Sequence, residues 1–124
     1  MPTRLLDGGI PVVEFDLLHE VSPYALFRRL KNAEDPPLLV DVRGTPTGFT
    51  LRDAIGLEAA WTPPEDRDVV LFDNDGGEAV ALARRFHQEG HQRVRALFGG
   101  LELYGFALDP AVVGVETFLI QRSA

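Results

Sequence analysis

The chain has 124 residues, 45% of them hydrophobic and 25% charged, with nineteen acidic side chains against twelve basic ones for a formal charge of −7. That length suits one domain spanning residues 1–124 with a core of its own, and the composition excludes a disordered tail or a fibre. The acidic balance argues against nucleic-acid and anionic-membrane partners, and the absence of any cysteine excludes disulfides, thiolate metal ligands and cysteine nucleophiles.

No apolar run approaches the roughly 18 residues that a membrane span needs. The opening Met1-Pro2-Thr3-Arg4-Leu5-Leu6-Asp7 lacks the apolar stretch and small-residue cleavage site of a secretion signal. The expected location is the cytoplasm.

Ile10 to Phe15 predicts a first strand, carried by Val12, Val13 and Phe15. Ser22-Pro23 then supplies a capping hydroxyl and a proline suited to the first helical position. The helix they open runs to about Ala33, with Leu26, Phe27 and Leu30 on one face, and Asp35-Pro36-Pro37 ends it. Leu38 to Val42 is a continuous apolar run broken only by Asp41, as expected of a strand buried on both faces. Residues 44–68 are rich in Gly, Pro and Thr and predict mostly loop, with a short helix over Leu51–Ala60. Val69 to Phe72 predicts a second buried strand. It leads through Asp73-Asn74-Asp75-Gly76-Gly77 into a helix from Glu78 to about Glu89, with Ala79, Leu82, Ala83 and Phe86 as its core stripe and Gly90 as its left-handed terminator. Arg93 to Phe98 predicts another strand, followed by Gly99-Gly100 and a short helix to about Phe106. In the tail, Asp109 to Ala124, residues Val112, Val113, Val115, Thr117 and Ile120 favour a strand, while Asp109-Pro110 would also start a helix. A strand there would lie at an edge, a place where a second copy can pair to form a homodimer.

This alternation predicts an α/β fold with a mostly parallel central sheet of about five strands and helices on both faces. Such sheets place their sites at the carboxyl ends of strands. Here those ends are Asp41-Val42-Arg43 and Asp73 to Glu78.

Four pieces, in order, resemble a rhodanese domain over residues 10–108. Val21-Ser22-Pro23 opens a helix as the family's first helix is opened. Leu38-Leu39-Val40-Asp41-Val42-Arg43 is similar to its strand ending in Asp-Val-Arg. Val69 to Phe72, a six-residue loop and a helix resemble its active-site unit. Val94 to Leu97 with Phe98-Gly99-Gly100-Leu101-Glu102-Leu103-Tyr104 resembles its closing strand and Gly-Gly-Leu turn. Two departures stand out. The stretch after Arg43 lacks the family's Gly-His-Ile-Pro-Gly-Ala segment and looks shortened, with Asp53-Ala54-Ile55-Gly56 as its remnant. The family's catalytic cysteine position is Asp73.

The resemblance implies a loop whose successive backbone N–H groups converge at a helix N-terminus, where they and the helix dipole stabilise an anion such as a persulfide. In this chain Asp73, Asn74, Asp75, Gly76, Gly77 and Glu78 make up that loop, and Glu78 stands where a basic residue is usual. A carboxylate cannot carry sulfane sulfur, so no catalytic residue and no cofactor are expected. The expected function is a sulfur-transfer-inactive binding or regulatory module for a protein or small ligand, with Asp41, Arg43, Asp73, Asp75 and Glu78 as candidate binding residues. Asp41 and Arg43 are expected to form a hydrogen-bonded pair that ties the following loop down.

A simpler role for the loop acids is helix capping. Asp75-Gly76-Gly77-Glu78 has the spacing of a capping box, in which Asp75 accepts from the N–H of residue 78 and Glu78 reaches back to the N–H of residue 75. A rival reading comes from Val70-Leu71-Phe72-Asp73-Asn74-Asp75-Gly76, which resembles the first motif of haloacid dehalogenase-type phosphatases and would use Asp73 and Asp75 with magnesium for hydrolysis. That family also needs a downstream lysine, and the single lysine here is Lys31. A further alternative is a purely structural oligomerisation module acting through the tail.

His87 and His91 have a spacing that can place two metal ligands on one helix face, but Gly90 interrupts it, so cations at a helix C-terminus are the plainer reading. His19 carries no motif. Trp61, beside Pro63 and Pro64, is either a binding anchor or a lid on the core, and Phe98 and Tyr104 are expected in the core.

Overall fold

A computed structural model of the chain describes residues 6–7, 10–11, 15–32, 34–44, 48–109, 111, 114 and 117–122. Leu6–Asp7 (β1) and Ile10–Pro11 (β2) pair antiparallel in a short ribbon. The strand expected over Ile10–Phe15 lies partly outside the described residues, at 12–14, and Phe15 makes a single bridge.

Glu20–Val21 (β3) leads into Pro23–Asn32 (α1), whose first turn is capped by Ser22 Oγ accepting the Ala25 N–H at 3.2 Å. Then follow Leu38–Asp41 (β4), Gly48–Leu51 (β5), Ile55–Gly56 (β6), Val69–Phe72 (β7), Gly77–Gln88 (α2), Val94–Leu97 (β8), Gly100–Ala107 (α3) and Leu119–Arg122 (β9). The central sheet has five strands in the order β3-β8-β7-β4-β6. Every neighbouring pair in it is parallel.

The apolar runs alternate between two cores because strand side chains alternate faces. Val70 and Phe72 of β7 pack with Leu26 and Phe27 of α1 and Leu101 and Tyr104 of α3. Val69 and Leu71 look the other way, onto Ala79, Ala83 and Phe86 of α2. Four consecutive buried residues in β7 are thus explained by helices on both faces of an α/β sheet. Gly90 closes α2 in the left-handed region at φ +100°.

The stretch after Arg43 corrects one expectation. Its described part is mostly loop, as expected, but it holds the short strands β5 and β6 where a helix over Leu51–Ala60 was expected. Thr50 and Leu51 are fully buried on β5, and Ala54 joins the α1/α3 core. Asp53, at φ +64°, turns the chain between the two strands and rules out a helix through it. The tail's strand forms at Leu119–Arg122, in register with β5 from Gly48↔Arg122 to Leu51↔Leu119. One edge of β9 is therefore paired within the chain. Val112, Val113 and Val115 lie outside the described residues. No helix among the described residues is long and apolar enough to cross a membrane.

Candidate functional site

Strands β4 and β7 run side by side with Asp41 opposite Phe72, so their carboxyl ends bring Arg43 and the loop after Phe72 together. Asp73 begins that loop and is 4% exposed. Its Oδ1 accepts the Gly76 N–H at 2.6 Å and its Oδ2 accepts the Glu78 N–H at 3.0 Å. Gly76 sits at the cap position of α2 with φ +89°, a conformation only glycine adopts cheaply. That backbone turn is what aims the two N–H groups back at Asp73.

The capping box expected of Asp75 and Glu78 is not what forms. The Glu78 N–H goes to Asp73, and Asp75 Oδ1 accepts the Gly77 N–H at 2.9 Å instead. The reason is the left-handed Gly76, which makes the residue three places before it the acceptor nearest the converging amides. Asp75 and Glu78 are exposed.

The Gly99-Gly100 turn clamps the loop from the other side. The Leu101 N–H donates to the Asp73 carbonyl at 2.9 Å, and the Glu102 N–H donates to the Asn74 carbonyl at 3.0 Å. A Cβ on Gly100 would lie 2.5 Å from the Asn74 carbonyl carbon and oxygen. The two glycines, at φ +72° and +65°, therefore let the start of α3 sit directly on the loop backbone.

Asp41 is fully buried at the end of β4. Arg43 clasps it, with Nε to Oδ1 at 2.9 Å and Nη2 to Oδ2 at 2.7 Å. The Thr50 hydroxyl adds a bond to Asp41 Oδ2 at 3.2 Å. The same guanidinium donates from Nη1 to Asn74 Oδ1 at 2.9 Å and from Nη2 to the Phe49 carbonyl at 2.8 Å. Its pKa is raised above the ordinary arginine value, chiefly by the Asp41 bonds, against the cost of burial and with help from the charge of Asp73. Arg43 thus ties β4, β5 and the loop together.

A cavity of about 710 Å³ opens beside this arrangement, lined by Arg43, Phe49, Asn74, Leu101, Glu102, Gly105 and Leu119. Of the candidate binding residues only Arg43 lines it. Asp41 and Asp73 are buried, and Asp75 and Glu78 stand outside the lining. Phe49 and Leu119 come from β5 and β9, whose pairing no local sequence signal announced. Glu102 was visible only as part of the Gly-Gly-Leu turn.

The remaining candidates take structural places. His87 Nε2 meets the Val94 carbonyl at 2.7 Å and packs edge-on against His19 at 4.6 Å between ring centroids. His19 Nδ1 is bonded to Asp16 Oδ2 at 2.7 Å. His91 packs against Phe86, as does Trp61. Phe98 meets Phe15 edge-on at 5.0 Å, and Tyr104 is fully buried with its hydroxyl donating to the Thr117 carbonyl. Among the described residues no three His, Asp or Glu side chains are placed to share a metal ion. Both Asp73 oxygens accept backbone N–H groups and Asp75 Oδ1 accepts another, so three of the four carboxylate oxygens in the pair of the phosphatase reading bind the loop's own amides.

No family model matches the chain. A sulfurtransferase from Allochromatium vinosum is 33% identical over a 94-residue alignment, with 68% of this chain and 86% of that protein covered. Among solved structures, a rhodanese-related protein from Thermoplasma volcanium superposes with a TM-score of 0.53 at 14% identity, covering 72% of this chain and 92% of its own. The BH2092 protein from Bacillus halodurans superposes with a TM-score of 0.60 at 16% identity, covering 82% and 85%. The structural likenesses carry the fold, and the sequence likeness carries the family: the chain belongs to the rhodanese-like sulfurtransferases.

Proposed function

We propose that this domain does not transfer sulfur and acts as a binding or regulatory module, taking a protein or small ligand in the pocket beside the former active-site loop. One observation carries the reading. At the position where the family resemblance implies a cysteine, the Asp73 carboxylate accepts the Gly76 and Glu78 amides at 2.6 and 3.0 Å. A carboxylate has no sulfur to be attacked and none to hand on. It also satisfies the donors that would otherwise stabilise a bound oxyanion.

The test is sulfur transfer from thiosulfate to cyanide, read as thiocyanate formed above the uncatalysed background. The expected result is background for the wild-type chain. Thiocyanate formation that Asp73→Ala abolishes would contradict the reading.

A further inference from the structure

We propose that the pocket beside the loop takes a basic, partly apolar peptide segment of a partner protein, one presenting an arginine or lysine next to an aromatic or aliphatic side chain. This rests on the binding reading above and names the chemistry of the occupant. At about 710 Å³ the cavity falls in the size range of sites that hold a few side chains. Phe49, Leu101 and Leu119 give it apolar walls. Phe49 is 57% exposed, so a phenyl ring stands in water at this face.

Charge selects the occupant. Among the described residues Arg43 is the one cation in the lining, and its guanidinium makes four hydrogen bonds within the protein. That leaves it one N–H of its five. Its charge is already met by the buried Asp41 and acted on by Asp73, two carboxylates against one guanidinium. Glu102 adds a third, exposed carboxylate on the lining, with no cation bonded to it among the described residues. The backbone donors that would have received an anion are spent. Gly76 and Glu78 give theirs to Asp73, and Leu101 and Glu102 give theirs to the carbonyls of residues 73 and 74. The pocket therefore attracts cations and repels anions, the reverse of a site built for thiosulfate. A second copy of this chain is a poor occupant, since each copy carries a formal charge of −7. Glu102 is placed to receive a guanidinium or ammonium, the Asn74 amide to donate to a peptide carbonyl, and Phe49 with the two leucines to cover the apolar neighbour.

The test is ¹⁵N NMR titration of the full chain with three capped dipeptides, acetyl-Phe-Arg-amide, acetyl-Phe-Gln-amide and acetyl-Phe-Glu-amide. The expected result is movement of the Phe49, Leu101, Gly105 and Leu119 amides, with the arginine peptide binding about two- to fivefold tighter than the glutamine one, as suits one exposed ion pair. Glu102→Gln, a surface change that should leave the fold intact, is expected to erase that preference. Equal or tighter binding of the glutamate peptide, or no movement of these amides with any peptide at millimolar concentration, would overturn the inference while leaving the sulfur-transfer result untouched. Movement of the Gly76 and Glu78 amides by thiosulfate would instead overturn the reading of the loop as filled.

Discussion

Replacing Asp73 by alanine removes the group on which the loop is organised. The carboxylate accepts two backbone N–H groups, at 2.6 Å from buried Gly76 and 3.0 Å from Glu78. Bonds to a charged acceptor contribute about 1.5–3 kcal/mol each when the donor is left without a partner. Glu78 is exposed and its N–H is readily rehydrated, whereas Gly76 is packed against Gly99 and Gly100 and its N–H is reached only through the space that the carboxylate vacates. The expected loss is therefore about 2–4 kcal/mol, less than the sum of two full penalties. Urea unfolding followed by far-UV circular dichroism reads it as a lower midpoint at unchanged slope. The same variant should expose an empty cluster of amides, so thiosulfate or sulfate should restore part of the loss. At ten times its dissociation constant an anion returns about 1.4 kcal/mol. Sodium chloride at matched ionic strength is the control, and the wild-type chain should gain nothing beyond it. A variant within about 0.5 kcal/mol of wild type, or a wild-type chain stabilised by thiosulfate as much as the variant, would refute the account of the loop.

Other substitutions test the supports around it. Gly100→Ala puts a Cβ 2.5 Å from the Asn74 carbonyl and 2.6 Å from the Asp73 carbonyl oxygen at φ +65°, and should cost about 3 kcal/mol or more in urea unfolding. Gly90→Ala, at φ +100° with nothing within 4 Å, should cost only about 1 kcal/mol of backbone strain; equal losses at the two sites would contradict the clamp. Arg43→Ala leaves the fully buried Asp41 without its cation and should cost about 3 kcal/mol, while a loss below about 1 kcal/mol would mean that the pair holds nothing together. Burial raises the Glu20 pKa, against the Asp16 N–H bond and the charge of Arg84. With a folded value above the unfolded one, the stability tied to its proton is complete below the ordinary carboxyl range and is lost as pH rises through the folded value. Glu20→Gln keeps an acceptor for the Asp16 N–H, so its stability relative to wild type should increase between about pH 4 and pH 7. A flat difference over that range would contradict it.

Three of the five central strands, β4, β7 and β8, were readable because their chemistry is local, whereas the two-residue β3 and β6 were not. Leu38–Val40 and Val69–Phe72 are apolar on both faces, and Ser22-Pro23, Gly76 and Gly90 punctuate the helices around them. Strand β5 was not readable in the same way, and β9 only as a strand somewhere in the tail, without its partner. Four residues each, they are defined by pairing Gly48 with Arg122 across most of the chain, and neither shows a strong period alone. The missed pocket follows from this, since Phe49 and Leu119 wall it from those two strands. In the loop, composition identified the acids, and backbone geometry decided between them. Asp75 and Glu78 have the spacing of a box, but the left-handed Gly76 delivers the amides to Asp73. The Asp41–Arg43 pair was legible from two strand-end residues two positions apart, whereas the reach of Arg43 to Asn74 and Phe49 depends on how the strands and the loop assemble.

The most direct measurement is a crystal structure of the wild-type chain grown from, or soaked in, concentrated thiosulfate. The account predicts the Asp73 carboxylate on the Gly76 and Glu78 amides, with no oxyanion between them. A thiosulfate bound to those two amides, with the Asp73 side chain swung away, would contradict it.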